Sequence, residues 1–270
     1  MEKQEKQDGK HRLTVVSRDG TRIAGERQGD GPPVILVSGA MSTGGTLAPL
    51  AERLAGHCTA VVYDRRGRGE SGDTAPYAVE REVEDLAALI DAVGDEAALF
   101  GVSSGGALVI EAAASGLPVR QAGVYEVPYA DFLEGGAEQQ AAYARNLTAA
   151  LAEDRRGDAV ELFLRLTGLG EEVIRGARQS PMWAGMEAVA PSLAHDAAVM
   201  GDGLLPRERV AALPVPLLVV AGGASPAWML AANRALAEAA PRSDHRILQD
   251  QTHMVEPGVL GPVLTDVFCG

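Results

Sequence analysis

From Pro33 onward the chain alternates short, unbroken apolar runs with amphipathic stretches, and that alternation narrows the folds open to it. VILV (34–37), TAVVY (59–63), AALFGV (97–102), QAGVYEV (121–127) and PLLVVAGG (216–223) are continuous apolar segments with no polar alternation. Strands of this kind must be covered on both faces, as in a parallel sheet between two layers of helix. Helices are predicted between them near Leu47–Leu54, over Val79–Val93, over Ala107–Ser115 and over Ala227–Ala240. A strand at His245–Leu248 and a closing helix near Val259–Phe268 complete the series. In the second helix Val83, Leu86, Ile90 and Val93 share one face at spacings of three and four. Before the alternation, Leu13–Val16 and Thr21–Arg27 flank the turn signal Asp19-Gly20 and predict an antiparallel hairpin at a sheet edge.

Between Pro128 and Pro206 the alternation stops. Ala137–Ala152 and Asp158–Leu166 read as helices and no strand is convincing. The fold class expected is α/β, a mostly parallel twisted sheet flanked by helices. The expected division is a disordered tail over 1–11, a core over 12–127 and 207–270, and a helical lid over 128–206. The large residues Phe132, Phe163, Leu166, Met182, Trp183 and Met186 would roof an apolar pocket, or form the core of a second subdomain with no gating role.

At 270 residues the chain suits one large domain, or one domain carrying an insertion, that buries roughly three quarters of its unfolded surface and needs no staple. Cys58 and Cys269 form no metal-ligand spacing and no disulfide framework, which favours a reducing cytoplasm. The opening MEKQEKQDGKH lacks the apolar stretch of a secretory signal, and no run of ~18 apolar residues suggests a spanning helix. A net charge of −13 disfavours nucleic acid and anionic membrane surfaces, both of which repel an acidic protein. Every lysine (Lys3, Lys6, Lys10) lies in the first ten residues, and with abundant alanine and glycine this reads as a high-GC bacterial coding bias.

Gly101-Val102-Ser103-Ser104-Gly105 matches G-x-S-x-G, at the end of an apolar strand and the start of an apolar helix. That setting is what a nucleophile elbow requires: the serine stands on a strained turn, and the glycines let strand and helix approach. A plain N-cap serine in a glycine-rich turn would share the pattern. A serine hydroxyl needs a base at neutral pH. His11 lies in the tail, His57 closes a helix, His195 is in the lid segment and His245 is within the last strand. His253, in QDQTHMVEP, follows the last strand and opens at the same carboxyl edge as the elbow. An oxyanion would be held by the N–H of Ser104 and by one from the Ser38-Gly39-Ala40-Met41 loop, Ala40 or Met41.

VILVSGA, VVYDRRGRGESG (61–72), the elbow and QTHMVEP together resemble the α/β-hydrolase family, from Thr14 to Phe268. The resemblance implies that DRRGRGESG is the family's D-x-R-G-x-G-x-S loop, a structural feature whose glycines turn the chain and whose serine and arginine bond nearby backbone. Two positions depart from the pattern. Ser38-Gly39 replaces the usual His-Gly, and Ser225, in Gly222-Gly223-Ala224-Ser225-Pro226, stands where the triad acid is usual. A serine cannot stabilise an imidazolium as a carboxylate does. Glu126 is the candidate acid: it closes the strand beside the elbow and keeps the order Ser, acid, His, and some relatives carry their acid there. Asp250, Asp196 and Asp202 are rivals, and Glu126 could instead cap a loop or pair with an arginine.

The expected chemistry is hydrolysis of a small ester, thioester or lactone through an acyl-serine intermediate. Ser103 is the nucleophile, His253 the base and Glu126 the acid, with Ser104 and Ala40 as oxyanion donors. No metal motif or dinucleotide fingerprint is present, so no cofactor and no metal is expected. The partner expected is a partly apolar small molecule, with self-association as a homodimer left open. The alternatives are non-hydrolytic catalysis on the same scaffold (C–C cleavage, perhydrolysis, lyase or cyclase chemistry) and a degenerate fold that only binds.

Overall fold

The structure, a computed structural model, describes residues 9–270. Its centre is an eight-stranded sheet: β1 (Lys10–Val16), β2 (Arg22–Gln28), β3 (Pro33–Val37), β4 (Thr59–Tyr63), β5 (Ala97–Val102), β6 (Val119–Tyr125), β7 (Leu217–Gly222) and β8 (Ser243–Leu248). The strand order is β1-β2-β4-β3-β5-β6-β7-β8, antiparallel at β1–β2 and β2–β4 and parallel from there on. The hairpin is therefore at an edge, as its turn chemistry implied. It begins earlier than the sequence suggested, because Lys10 and His11 pair with Gln28 and Arg27. The tail expected over 1–11 is corrected at those two residues; its first eight lie outside the described residues.

Eleven α-helices are present among the described residues: α1 (Ala48–Leu54), α2 (Val79–Val93), α3 (Ser104–Ala114), α4 (Gly136–Ala152), α5 (Arg156–Leu166), α6 (Glu171–Arg178), α7 (Trp183–Val189), α8 (Leu193–Met200), α9 (Arg207–Ala211), α10 (Ala227–Ala239) and α11 (Pro257–Phe268). The two-residue period of the strands divides their side chains between two cores. In β3, Ile35 and Val37 join a core with α2, α3 and α10, while Val34 and Leu36 face α1 and α11. β5 and β7 divide the same way, Leu99 and Val219 to the first face, Phe100 and Val220 to the second. None of these eight side chains is exposed, which is why the strands read as continuous apolar runs.

The segment between β6 and β7 holds helices and, among the described residues, no strand, and carries a third core of Tyr143, Leu147, Val160, Leu164, Ile174, Trp183 and Leu193. Phe163, Leu166 and Met186 pack against that core, whereas Phe132 and Met182 are exposed. Of the six residues expected to roof a pocket, four therefore serve the segment's own packing. Ala40 and Met41, from the loop after β3, pack against this core as well. No helix among the described residues is long and apolar enough to cross a membrane.

Candidate active site

Ser103 is the single residue between β5 and α3, at φ 57° and ψ −127°. A side chain in that conformation stores roughly 1–3 kcal/mol of strain, so the surroundings must impose it. They do so through two backbone bonds: Ser103 N donates to Tyr125 O at 2.9 Å, and Ser103 O accepts from Gly106 N at 2.9 Å. A Cβ on Gly101 would strike the Gly105 carbonyl, and one on Gly105 would lie 2.6 Å from Ser38 O. Strand and helix reach this distance only because both positions lack side chains. The first N–H of α3, on Ser104, is one of the unpaired donors at a helix start and carries its partial positive charge.

Glu126 leaves the end of β6 at φ 47° with no exposed surface. Its Oε1 accepts from Gly222 N at 2.8 Å, and its Oε2 lies 2.9 Å from His253 Nδ1. The imidazole is 42% exposed. The loop bearing His253 is tied to neighbouring strand ends. Ala224 N donates to Gln251 O at 2.8 Å and Tyr125 Oη to Thr252 O at 2.5 Å, while within the loop Glu256 N donates to Gln251 Oε1 at 2.9 Å. Gly222 admits this loop, because a Cβ there would lie 2.7 Å from Tyr125 Oη and closer still to Gln251 O. The three residues proposed from sequence thus emerge after β5, β6 and β8, on one edge of the sheet. Among the described residues, neither Ser103 Oγ nor His253 Nε2 has a hydrogen-bond partner.

Met41, Ser103, Glu126 and Asp250 all have positive φ, and each stands in a loop leaving the carboxyl end of a strand, β3, β5, β6 or β8. Only one other described non-glycine residue, Asp154, shares that conformation. Backbone strain of this kind collects where a fold holds groups in set positions for chemistry. Among the described residues, no group of three His, Cys, Asp or Glu side chains is arranged to hold a metal.

The loop after β3 is held by arginines from DRRGRGESG. Arg65, Arg66 and Arg68 are among the largest fully buried side chains of the protein. Arg65 grips Glu82 with Nε and Nη2, both at 2.8 Å, and its Nη1 reaches Ser38 O at 3.2 Å and Asp196 Oδ1 at 2.8 Å. Arg68 Nη1 donates to Gly39 O at 2.5 Å and Ser42 O at 3.1 Å, and its Nη2 to Asp196 Oδ2 at 2.7 Å. Arg66 binds Asp85 and Asp19. Ser71 Oγ accepts from Ala24 N and donates to Asp64 O, as the family loop implied. The carboxylate partners were not foreseen: buried guanidinium groups oblige acids to be near, but these acids lie 17 to 131 positions away. Asp196, considered from sequence only as a rival triad acid, accepts instead from Ser104 Oγ at 2.8 Å.

Residues 34–257 match the sequence profile of the alpha/beta hydrolase family. The chain belongs to that family. A crystal structure of an alpha/beta hydrolase from Sphaerobacter thermophilus DSM 20745 is 51% identical, with a TM-score of 0.85, over 94% of this chain and 99% of that one. A pimeloyl-[acyl-carrier protein] methyl ester esterase from Xanthomonas campestris pv. campestris is 32% identical over 206 residues, 72% of this chain and 77% of the relative. A thermophilic esterase from Thermogutta terrifontis shares the fold at 22% identity, with a TM-score of 0.72 over 95% of this chain and 97% of that one. In this family setting the carboxyl edge of the hydrolase sheet holds Ser103, Glu126 and His253, while Ser225 stays buried and its hydroxyl has no hydrogen-bond partner among the described residues.

Proposed function

We propose that the protein hydrolyses a small, partly apolar ester, thioester or lactone through an acyl-serine intermediate. The observation that carries this reading is the 2.9 Å contact between His253 Nδ1 and the buried Glu126 carboxylate, on the sheet edge where Ser103 is held in a strained elbow. Glu126 accepts a hydrogen bond from Nδ1–H, which keeps that proton on Nδ1 and so leaves Nε2 free to act as a base. His253 takes the Ser103 proton as Oγ attacks the carbonyl carbon, and Glu126 stabilises the imidazolium that results. The negative charge passes to the former carbonyl oxygen, where the N–H groups of Ser104 and Ala40 receive it; neither donates a hydrogen bond within the chain among the described residues. Collapse breaks the bond to the leaving alcohol or thiol, which takes its proton from His253. Water, deprotonated by His253, then cleaves the acyl-serine and restores the hydroxyl.

The Xanthomonas relative is named a methyl ester esterase, which favours ester hydrolysis over lyase or cyclase chemistry. A carboxylate 2.9 Å from His253 also supports catalysis over a degenerate binding fold, despite Ser225. The helical segment serves in this reading as the lid, because its core reaches Ala40 and Met41 of the oxyanion loop.

Intact-mass labelling with a fluorophosphonate tests the mechanism. Wild type gains one phosphonyl adduct on Ser103, S103A gains none, and S103A turns over short-chain nitrophenyl esters about 10⁴-fold more slowly or worse. Turnover by S103A within tenfold of wild type, at equal purity, would rule the acyl-serine route out.

A further inference from the structure

Two segments supply the proposed oxyanion donors, the loop after β3 and the first turn of α3, and neither is bonded directly to the other. A carboxylate joins them, beside a longer contact in which Arg65 Nη1, already bonded to Ser38 O, reaches Ser104 Oγ at 3.5 Å. Asp196, from α8 in the helical segment, is buried and accepts three hydrogen bonds: Ser104 Oγ and Arg65 Nη1 on Oδ1, each at 2.8 Å, and Arg68 Nη2 on Oδ2 at 2.7 Å. Through Arg65 it reaches Ser38 O, and through Arg68 it reaches Gly39 O and Ser42 O. Those carbonyls bracket the Ala40 amide on both sides along the chain. Ser104, on the other branch, is the residue whose own amide faces the task. The carboxylate is thus one bond from one donor residue and one guanidinium away from the other.

The rest of α8 fixes Asp196 in place. The neighbouring His195 ring stacks on Tyr77 at 3.9 Å between centroids with 3° between planes, and Tyr77 Oη donates to Glu82 Oε1 at 2.8 Å. Glu82 is the acid that Arg65 grips with its other two nitrogens. Helix α8, the arginine loop and α2 therefore form one closed set of bonds around the oxyanion segments.

We infer that Asp196 is a positioning residue for the oxyanion site, holding the Ala40 and Ser104 amides in register. The site is assembled only when α8 is seated against the sheet. The inference rests on the acyl-serine reading above, and extends it by making the helical segment part of the catalytic geometry. Burial pushes the Asp196 carboxyl upward, but Arg68, Arg65 and the Ser104 hydroxyl outweigh this and hold it below the usual carboxylate range, so it is the charged acceptor this role needs.

The test compares wild type, D196N, S104A and the double variant with a nitrophenyl ester, together with inhibition by an alkyl boronic acid. The boronic acid forms a tetrahedral adduct on Ser103 and needs the oxyanion donors, whereas ground-state substrate does not. D196N is expected to lower kcat about 10- to 100-fold, since misplacement of a reacting group by about 1 Å has an effect of that order. KM should change by less than about threefold, with boronic-acid affinity falling in step with kcat. Because S104A cuts one of the same branches, the double variant should be close to D196N and far from the product of the two single effects. A folded D196N with kcat within twofold of wild type would overturn the inference, as would multiplicative effects in the double variant or a loss confined to KM. Should D196N fail to fold, S104A and R68K read the two branches separately, and kcat within twofold of wild type in both would equally overturn it. Phosphonate labelling of wild type keeps the two levels apart. Labelling of Ser103 with an unaffected D196N removes only the inference, and a wild type that takes no label removes both.

Discussion

Glu126 uses its two oxygens for different purposes. Oε1 is spent on the Gly222 amide and Oε2 on His253 Nδ1, so the carboxylate plane is set by the end of β7 before the imidazole meets it. An amide in its place could keep the bond to Gly222 through its oxygen, but would then turn an NH2 toward Nδ1. That donor favours the tautomer with its proton on Nε2, where a base is needed. Glu126→Gln should therefore keep the fold and lower kcat by roughly 10³- to 10⁴-fold, the scale seen when a triad acid is converted to its amide. Circular dichroism at unchanged melting temperature, with steady-state kinetics on a nitrophenyl ester, makes the comparison. A kcat within tenfold of wild type would show that His253 works without this partner.

At the scale of elements, the site depends on how closely α3 approaches β3 and β5. Gly105 faces the carbonyl oxygens of Val37 and Ser38, and Gly101 faces the Gly105 carbonyl. These are backbone atoms and cannot rotate aside as a flexible side chain would. Gly105→Ala should therefore push α3 away from β3, at a cost of about 1–3 kcal/mol, the usual range for overpacking. The displacement moves the Ser104 amide and the elbow together, so activity should fall further than stability alone explains. Urea unfolding measured beside kcat checks this. An alanine variant with wild-type stability and rate would mean that the approach is looser than the contacts indicate. Gly258, with nothing near its absent Cβ, provides a matched control at which alanine should be harmless.

Across the whole molecule, the buried arginine cluster ties the hairpin, the sheet loops, α2 and α8 together through Asp19, Glu82, Asp85 and Asp196. Burial pushes the Glu82 carboxyl upward, but Arg65 and Arg68 outweigh it, and Asp196 is held low in the same way. Groups whose folded-state pKa is lower than the unfolded value bind protons more readily when the chain unfolds. Their contribution is complete above the unfolded carboxylate range, about pH 4, and is lost as pH falls from there through the folded values. The melting temperature should thus drop steeply below about pH 4. A melting curve that is unmoved between pH 7 and about pH 3 would contradict the assignment of Glu82 and Asp196 as charged partners.

The strands, the order of helices and the elbow were legible from the sequence because each is written over a few residues. Val34–Val37 and Leu217–Val220 are apolar at every position because both faces of the strand are covered. Gly101, Ser103 and Gly105 announce a turn that few other residues could make. Helices α6 to α9 were less legible, being short and interrupted by Gly170, Pro191 and Pro206. Glu126 could be nominated from its place at a strand end, but Asp250, Asp196 and Asp202 remained beside it until the sheet order was known. That order sets β6 between β5 and β7 and closes 127 positions of chain to 2.9 Å. The bonds of Asp196 were out of reach altogether, since those to Arg65, Arg68 and Ser104 span 131, 128 and 92 positions. Periodicity and turn chemistry act within one element, whereas which acid meets which base depends on how separate elements are stacked, and that arises only when the sheet assembles.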